Sequence, residues 1–565
     1  MKQLPVPPLA QSLDRYLTAL QPLVTAEELA ISKQLAADFA AGEGAECQAA
    51  LEQFAAAENQ AGRNYMSEAW YAGYLGSRGP LSLVSNVSFQ LAFESQFSGL
   101  ARAADVIYQL AWMQLKQLRG EGEPDVSPRG EELSPSQWRF ATGAMREPRA
   151  GCDAIVDGPT SPQHREILVL RHNNAYAVRV ADEHGQPLPR PVLEQALQAI
   201  VAADHAPGRF TDLSYLGSAS AADILAELLA DEANQQVYQR LREALFLVDL
   251  TEGCDDPILA LRRLTFESGH AWAYKPATYQ IDVGGDFVAV HFEHTLADGA
   301  TLKELVARAR RHEPNETSGS APEPELLQWS ETPDLAARID AGLSAFEAEA
   351  AKYRVRRETC DFQVPAGFKL STDAAMQWVM LYAQVATWGR VRSHYEAVDM
   401  REYAAGRTEC LRSVTPEAVA LVRGLLAGDA TAEQLEAARV AHSGWVKACK
   451  SGNAIDRHLF GLQLMASRLG LTPAVFADES YKRLTSDLLS TTSLGDRAQI
   501  IRLTFAPTAP GCIGVNYTAD PGAFEFCLSW RTDERPEIDV FAANLAAGTA
   551  ALQQLVAAVA GVSQE

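Results

Sequence analysis

The stretch TYQIDVGGDFVAVHFEHTLADGATLKELVARARR, Thr278 to Arg311, carries the reading of the fold. Two β-rich runs, TYQIDV and FVAVHFEH, flank Gly284-Gly285, the pattern of a hairpin. A helical segment, ATLKELVARARR, follows at once. Alternation along the second strand puts Val288, Val290, Phe292 and His294 on one face, and Ala289, His291 and Glu293 on the other. His294 therefore ends an apolar face at the strand's tip, where α/β sheets tend to form ligand crevices. Four residues on, Asp298-Gly299 opens the helix. A neutral imidazole is well poised to accept a proton near neutral pH, and an Asp one turn away can hold loop and ring. Taken alone, His294-x-x-x-Asp298-Gly299 also fits a strand-end histidine followed by a helix N-cap. His291 and His294 face opposite ways on a regular strand, so no metal site is expected.

Outward from this stretch, strands and helices interleave, which makes the class α/β. Residues 12–60 are helical, with a capping-box start at Thr25-Ala-Glu-Glu28. Residues 165–181 form another hairpin, turned near His172-Asn173-Asn174. Residues 186–204, 221–247, 331–352, 371–390 and 430–470 have helical patterns, and 499–530 is strand-rich. The segment HEPNETSGSAPEPE, 312–325, is the sharpest break in composition and reads as a linker. A domain boundary is expected there. No internal sequence repeat is visible.

Composition narrows the function classes. At about 150 residues per domain, the 565 residues suggest several domains, though two large α/β ones serve equally. There are 49 Lys and Arg against 72 Asp and Glu, a net charge of −23. Such a chain repels polyanions, so nucleic acids and anionic membranes are not expected partners. Eight scattered Cys without C-x-x-C exclude a zinc ribbon and a disulfide scaffold. The N-terminus lacks a secretory h-region, and no apolar run reaches the length of a membrane span. A soluble, cytoplasmic protein is expected.

A series of ordered motifs resembles the choline/carnitine acyltransferase family, chiefly its carnitine acetyltransferase branch. The chain opens with Leu4-Pro-Val-Pro-Pro-Leu9, followed by Trp70 and Tyr74-Leu75-x-x-Arg78-x-Pro80-Leu81. Glu293-His294-x-x-x-Asp298-Gly299 is similar to the family's catalytic motif. Lys369-Leu-Ser-Thr-Asp373, Tyr395-Glu396, Arg401 with Gly406-Arg-Thr-Glu409, Asp456-Arg-His-Leu459, Leu489-Ser-Thr-Thr492 and Phe505-Ala-Pro507 follow in order. The resemblance implies two α/β domains of related, chloramphenicol-acetyltransferase-like topology, with an active-site tunnel between them. Residues 88–325 would hold the catalytic histidine; residues 1–87 and 326–565 would make the second domain. It also implies a mostly monomeric enzyme of fatty acid metabolism that moves acyl groups between coenzyme A, as co-substrate, and carnitine or choline, with no permanently bound cofactor.

Under that resemblance His294 is the general base, supported by Asp298, and no acyl-enzyme forms. Ser490 and Thr492 alternate on one side of a β-like run and would serve the oxyanion. Thr492 stands where the family has serine, and its extra methyl narrows the site. Tyr395, Thr408 and Arg457, with Ser490 near, would meet the carnitine carboxylate. Phe505 would face the quaternary ammonium. Arg457 separates carnitine from choline, which has no carboxylate to pair with a buried guanidinium. Lys369, Ser371 and Asp373 fall at the CoA site. The family's further lysines are missing from Val364-Pro-Ala-Gly-Phe368, and Ser493 replaces a glutamine. Other cations such as Arg354, Arg356 and Arg357, a solvated role for those arginines, and a different acyl carrier all remain open at this level. So does a non-catalytic relative that binds acyl-CoA or acyl-carnitine. Leu503 matches the residue that sets acyl-pocket depth, which predicts short or medium acyl groups. The spacing also admits Ile501 or Arg502 in its place.

Overall fold

The computed structural model describes residues 1–203 and 205–562. The strands of the first half are β1 (Val87–Leu91), a separate small pair β2 (Met145–Glu147) and β3 (Ala154–Val156), β4 (Glu166–Arg171), β5 (Asn174–Arg179), β6 (Leu247–Thr251), β7 (Ala277–Asp282), β8 (Val288–Phe292) and β9 (Glu325–Leu327). Those of the second half are β10 (Tyr353–Asp361), β11 (His394–Asp399), β12 (Thr408–Leu411), β13 (Leu489–Thr492), β14 (Ile500–Phe505), β15 (Ile513–Asp520) and β16 (Ala523–Arg531). They build an eight-stranded sheet, β14-β1-β8-β7-β6-β4-β5-β9, and a six-stranded sheet, β10-β16-β15-β13-β11-β12.

The two sheets repeat one topology. In the first, β4 and β5 form an antiparallel hairpin, β4, β6 and β7 run parallel, and β8 and β1 add on antiparallel. In the second, β11 and β12, then β13 and β15, then β16 and β10 do the same in the same chain order. The repeat is invisible in the sequence because it is a repeat of strand order, and the residues filling the two cores differ. Both expected hairpins form. His172 and Asn173 turn the first with φ of 48° and 58°, the left-handed pair that a two-residue turn needs. The Thr25 hydroxyl accepts from Glu28 N while Glu28 reaches back to Thr25 N, so the first long helix carries its capping box.

The linker reading of 312–325 needs correction. The expected boundary at 325/326 runs through β9, which pairs with β5 at the edge of the first sheet. The loop before it is pinned: Arg190 pairs with Glu316 at 2.7 Å, and the Tyr108 hydroxyl donates to Glu313 O at 2.7 Å. Helix Pro333–Ala350 then buries Leu335 and Ile339 in the core that holds Trp272. A polar, proline-rich composition marks exposure to water, and this loop is exposed without leaving its domain. The first sheet also recruits β14 from the far end of the chain, with Phe89 opposite Leu503 and Val87 opposite Phe505. One strand thus ties the halves together beside His294.

Two helical readings split. Residues 221–247 divide into Ser218–Leu228 and Glu232–Glu243, the second capped by Asp231; residues 430–470 divide into Ala432–Lys450 and Asp456–Leu469. The last helix, Ile538–Val562, contains a segment, Ile538–Gly561, long and apolar enough by length and composition to cross a bilayer, contrary to the sequence reading. Its Ala-rich composition raises its hydropathy, while Phe541, Leu545, Leu552 and Val556 are buried in the core that packs on the second sheet.

Candidate active site

A cavity of about 310 Å³ opens where the sheets meet, lined by His294 and Asp298 from the first half and by Tyr395, Thr408, Ser490, Thr492, Leu503 and Phe505 from the second. His294 lies two residues past β8. Its Nδ1 sits 2.8 Å from Ala297 O. A carbonyl only accepts, so Nδ1 carries the proton and Nε2 keeps a free lone pair. The Tyr74 ring packs 5.7 Å from the imidazole.

Asp298 stands at the N-cap position of helix Gly299–Ala309, but its carboxylate does not cap it. Arg407 takes both oxygens instead, at 2.9 Å each, and donates to His294 O at 2.8 Å and Thr295 O at 2.6 Å. Gln137 donates to Asp298 Oδ2 at 3.0 Å and accepts from Asp298 N at 2.8 Å. Burial alone would raise the Asp298 carboxyl; the charge and hydrogen bonds of Arg407 overcome that and hold it below the ordinary range. Asp298 Oδ1 lies 3.6 Å from His294 Nδ1, so a fixed negative charge faces the imidazole. Arg407 and Gln137 were missed in the sequence reading. Arg407 stands inside the quoted Gly406-Arg-Thr-Glu409 run, which was the available signal; nothing local marks Gln137.

The residues read for a carboxylate come together. Arg457 Nη2 donates to the Tyr395 hydroxyl at 3.0 Å, and its Nε to Thr408 O at 2.7 Å. Tyr395 and Thr408 hydroxyls are 3.4 Å apart. Two guanidinium groups lie over the Trp70 ring, that of Arg457 at 5.0 Å and that of Arg407 at 5.1 Å. Tyr395 is in register with Ser490 across β11 and β13. Ser490, Thr491 and Thr492 all line the cavity, and the Thr491 hydroxyl is engaged, donating to Tyr395 O at 2.8 Å. Phe505 needs Gly514 beneath it: a Cβ there would meet the ring at 3.0 Å.

Leu503 lines the cavity opposite Phe89, and it is 3 % exposed. Its neighbour Arg502 points to the other face, bound to Glu525 at 2.9 Å and to Gln90. Ile501 is not among the lining residues. Strand alternation sets Arg502 aside and the cavity lining sets Ile501 aside, which leaves Leu503 at the cavity among the three candidates.

The residues read for CoA fall less neatly. A second cavity of about 490 Å³ shares Ala397 with the first and is lined by Thr372, Asp373, Glu396, Asp399, Ser493, Asp496 and Tyr517, with no Lys or Arg. Lys369 is exposed and lines neither cavity. Ser371 is committed to capping helix Thr372–Trp388 through Ala374 N. Asp373 accepts from the Tyr517 hydroxyl at 2.7 Å and faces His442 Nε2 at 3.0 Å. Burial and the adjacent Asp373 carboxylate push Glu396 well above the ordinary range. The donor atoms of Asp373, Glu396 and His442 lie within 4.8 Å of one another, close enough to hold a metal ion. Arg354, Arg356 and Arg357 lie on β10 and line neither cavity; Arg354 bonds backbone carbonyls, and Arg356 pairs with Glu358 and Asp539. His291 faces away from His294, 3.0 Å from Leu264 O, as the strand alternation requires.

Residues 4–547 match the sequence profile of the Choline/Carnitine o-acyltransferase family. The chain belongs to that family. It is 26% identical to carnitine O-acetyltransferase of Rattus norvegicus over 573 residues, covering 94% of this chain and 89% of that protein. It is also 26% identical to mitochondrial carnitine O-palmitoyltransferase 2 of Bos taurus, over 92% of this chain and 86% of the relative. Choline O-acetyltransferase of Danio rerio is likewise 26% identical, over 96% and 91%. The chain is therefore an acyltransferase of a family that uses acyl-CoA as co-substrate, and equal identities to carnitine and choline enzymes leave the acceptor to the site's own chemistry.

Proposed function

We propose that this acyltransferase moves a short or medium acyl group between acyl-CoA and the hydroxyl of carnitine, with His294 as general base. The observation that carries the acceptor is the Arg457–Tyr395–Thr408 group, whose guanidinium is partly buried and, among the described residues, meets no carboxylate closer than Glu409 at 4.0 Å. An acceptor carboxylate supplies that partner, and each hydrogen bond to it is worth about 1.5–3 kcal/mol. Choline offers no carboxylate there and leaves the desolvated guanidinium with Glu409, at 4.0 Å, as its nearest counter-charge.

In the forward direction His294 Nε2 takes the proton of the acceptor hydroxyl as that oxygen attacks the thioester carbonyl. The bond to sulfur then breaks, and the proton passes from Nε2 to the thiolate. The developing imidazolium lies against Asp298, which Arg407 keeps ionised. Ser490 donates to the oxyanion, with Thr492 beside it. Phe505 faces the trimethylammonium, which takes no hydrogen bonds. Both substrates meet at one imidazole, so no acyl-enzyme forms.

The test is thiol release from acetyl-CoA with carnitine, choline and other amino alcohols. Carnitine should be preferred, and Arg457→Asn should raise its KM strongly while moving choline little. Equal wild-type activity on both acceptors defeats the assignment. The acid-lined second cavity favours a second reading for the donor, in which the pantetheine arm is held but the 3′-phosphate is not.

A further inference from the structure

In a chain with 49 basic and 72 acidic residues, cations generally have acidic neighbours. Three arginines gathered at one end of the second sheet have none at ion-pair distance. Among the described residues, no carboxylate oxygen lies within 4.0 Å of Arg390, Arg392 or Arg535. The register brings them together. β11, β13 and β15 start level, with His394 opposite Leu489 and Leu489 opposite Ile513, so Arg392, Asp487 and Gly511 stand side by side two residues earlier. Arg392 Nη2 donates to Ser486 O at 3.0 Å, and Arg535 Nη2 to Gly511 O. The Arg535 guanidinium lies 5.6 Å from the Trp388 ring, and Arg390 follows two residues after that tryptophan.

The acids nearby are engaged or remote. Asp487 accepts from Arg412 and Ser393, both at 2.6 Å. Glu534 serves Arg531 and Gly511 N. Glu537 is exposed and beyond ion-pair distance of Arg535. The Nε atoms of Arg392 and Arg535 are buried without a hydrogen-bond partner. Burial, and then the charges of Arg390 and Arg535, lower the Arg392 pKa. The C-terminus of helix Thr372–Trp388 attracts cations, which accounts for Arg390 and Arg392 but not for Arg535, placed there from beyond β16. Three crowded guanidinium groups repel one another unless an anion joins them.

The location is informative. Asp487 and Thr508 line the main cavity, where exposed Val84 and Thr508 mark its mouth. The second cavity, with Ser493 and Ala519, lies at the opposite end of the same strands. The geometry points to a binding site for a small multivalent oxyanion, formed by Arg390, Arg392 and Arg535 beside the mouth through which the acceptor enters. Guanidinium forks suit phosphate and carboxylate oxygens alike. Occupied, the site narrows that mouth, so the anion should compete with the acceptor and not with the acyl donor. This kinetic consequence rests on the proposed function; the binding itself does not.

The experiment is isothermal titration of the full chain at low ionic strength, where such contacts are least screened, with inorganic pyrophosphate in one arm and citrate in the other. One equivalent of saturable binding is expected in at least one arm, and the tighter arm identifies a phosphate or a carboxylate source. Arg390 is exposed and has no side-chain partner, so Arg390→Glu should fold normally and weaken binding by about tenfold or more, the effect of about 1.4 kcal/mol. Arg423→Glu, a reversal at an exposed, unpaired arginine on another helix, should leave binding unchanged. Absence of saturable binding of both anions, or equal affinity of Arg390→Glu and wild type, overturns the proposal. If binding persists while acceptor kinetics stay unaffected, the site stands and the reading of its place at the acceptor mouth fails.

Discussion

Replacing Arg407 by methionine keeps much of the side chain's length and removes its charge, and the consequences can be worked from the contacts. Asp298 loses two hydrogen bonds of 2.9 Å and its counter-charge, while His294 O and Thr295 O lose donors at 2.8 and 2.6 Å. Breaking a buried pair by removing one partner costs about 3–5 kcal/mol. Burial then dominates Asp298, whose carboxyl rises instead of staying depressed. The loop that fixes the imidazole loses its clamp, so kcat should fall by up to the ~10²–10⁴ that a positioned base contributes. The KM for acetyl-CoA should change little, since Arg407 lines neither large cavity. The assays are steady-state thiol release and denaturant unfolding. Adding Asp298→Asn removes the stranded carboxylate, so the double variant should be more stable than Arg407→Met while remaining slow. Arg407→Met retaining more than about half of wild-type kcat, or a double variant no more stable than the single, would refute the reasoning.

Three further outcomes are expected. Leu503→Gly should raise kcat/KM for octanoyl-CoA relative to acetyl-CoA, because each accommodated methylene gains about 0.8 kcal/mol of burial whereas a forced one costs about 1–3 kcal/mol; palmitoyl-CoA as the best wild-type donor would contradict this. Dephospho-CoA and CoA esters should give similar kcat/KM, since no Lys or Arg lines the second cavity; a large preference for the 3′-phosphate would show that cations outside that lining have replaced the missing lysines. His291 and His394 are pushed down to about 4 and about 3 by burial, so the unfolded chain binds protons there that the folded chain does not. Stability should therefore be full above about pH 6.5 and fall as pH drops toward 4, by about 1.4 kcal/mol per unit for each histidine. Denaturant midpoints at pH 7 and pH 5 test this, and equal values would be inconsistent with neutral buried imidazoles.

The parts of the site set by short-range periodicity were legible. Strand alternation alone separated His294 from His291. It also separated Leu503 from Arg502 once the strand's limits were known. Contacts made across the chain were not legible. Asp298 reads locally as an N-cap, and only the fold brings Arg407, over a hundred residues away, onto its carboxylate. Arg457 looks like a helix-surface arginine until its helix is laid against β12. The loop 312–324 shows the converse error, in which a local composition signal was read as a global boundary although β9 pairs back into the sheet it was thought to leave. Ser371 was given to CoA by resemblance, but its hydroxyl is occupied by its own helix, a choice any serine at that position favours.

The most direct test of the account is thiol release from acetyl-CoA in the presence of carnitine by wild type and by His294→Ala, with acyl-CoA affinity measured on both. Among the described residues the His294 ring donates one hydrogen bond, from Nδ1 to Ala297 O within its own loop, and the Arg407 contact to His294 O is to the backbone, which alanine keeps. The alanine variant should therefore fold and bind acetyl-CoA like wild type while its kcat falls by at least about a hundredfold. A variant that binds acyl-CoA normally and keeps more than about a tenth of wild-type turnover would contradict His294 as the base.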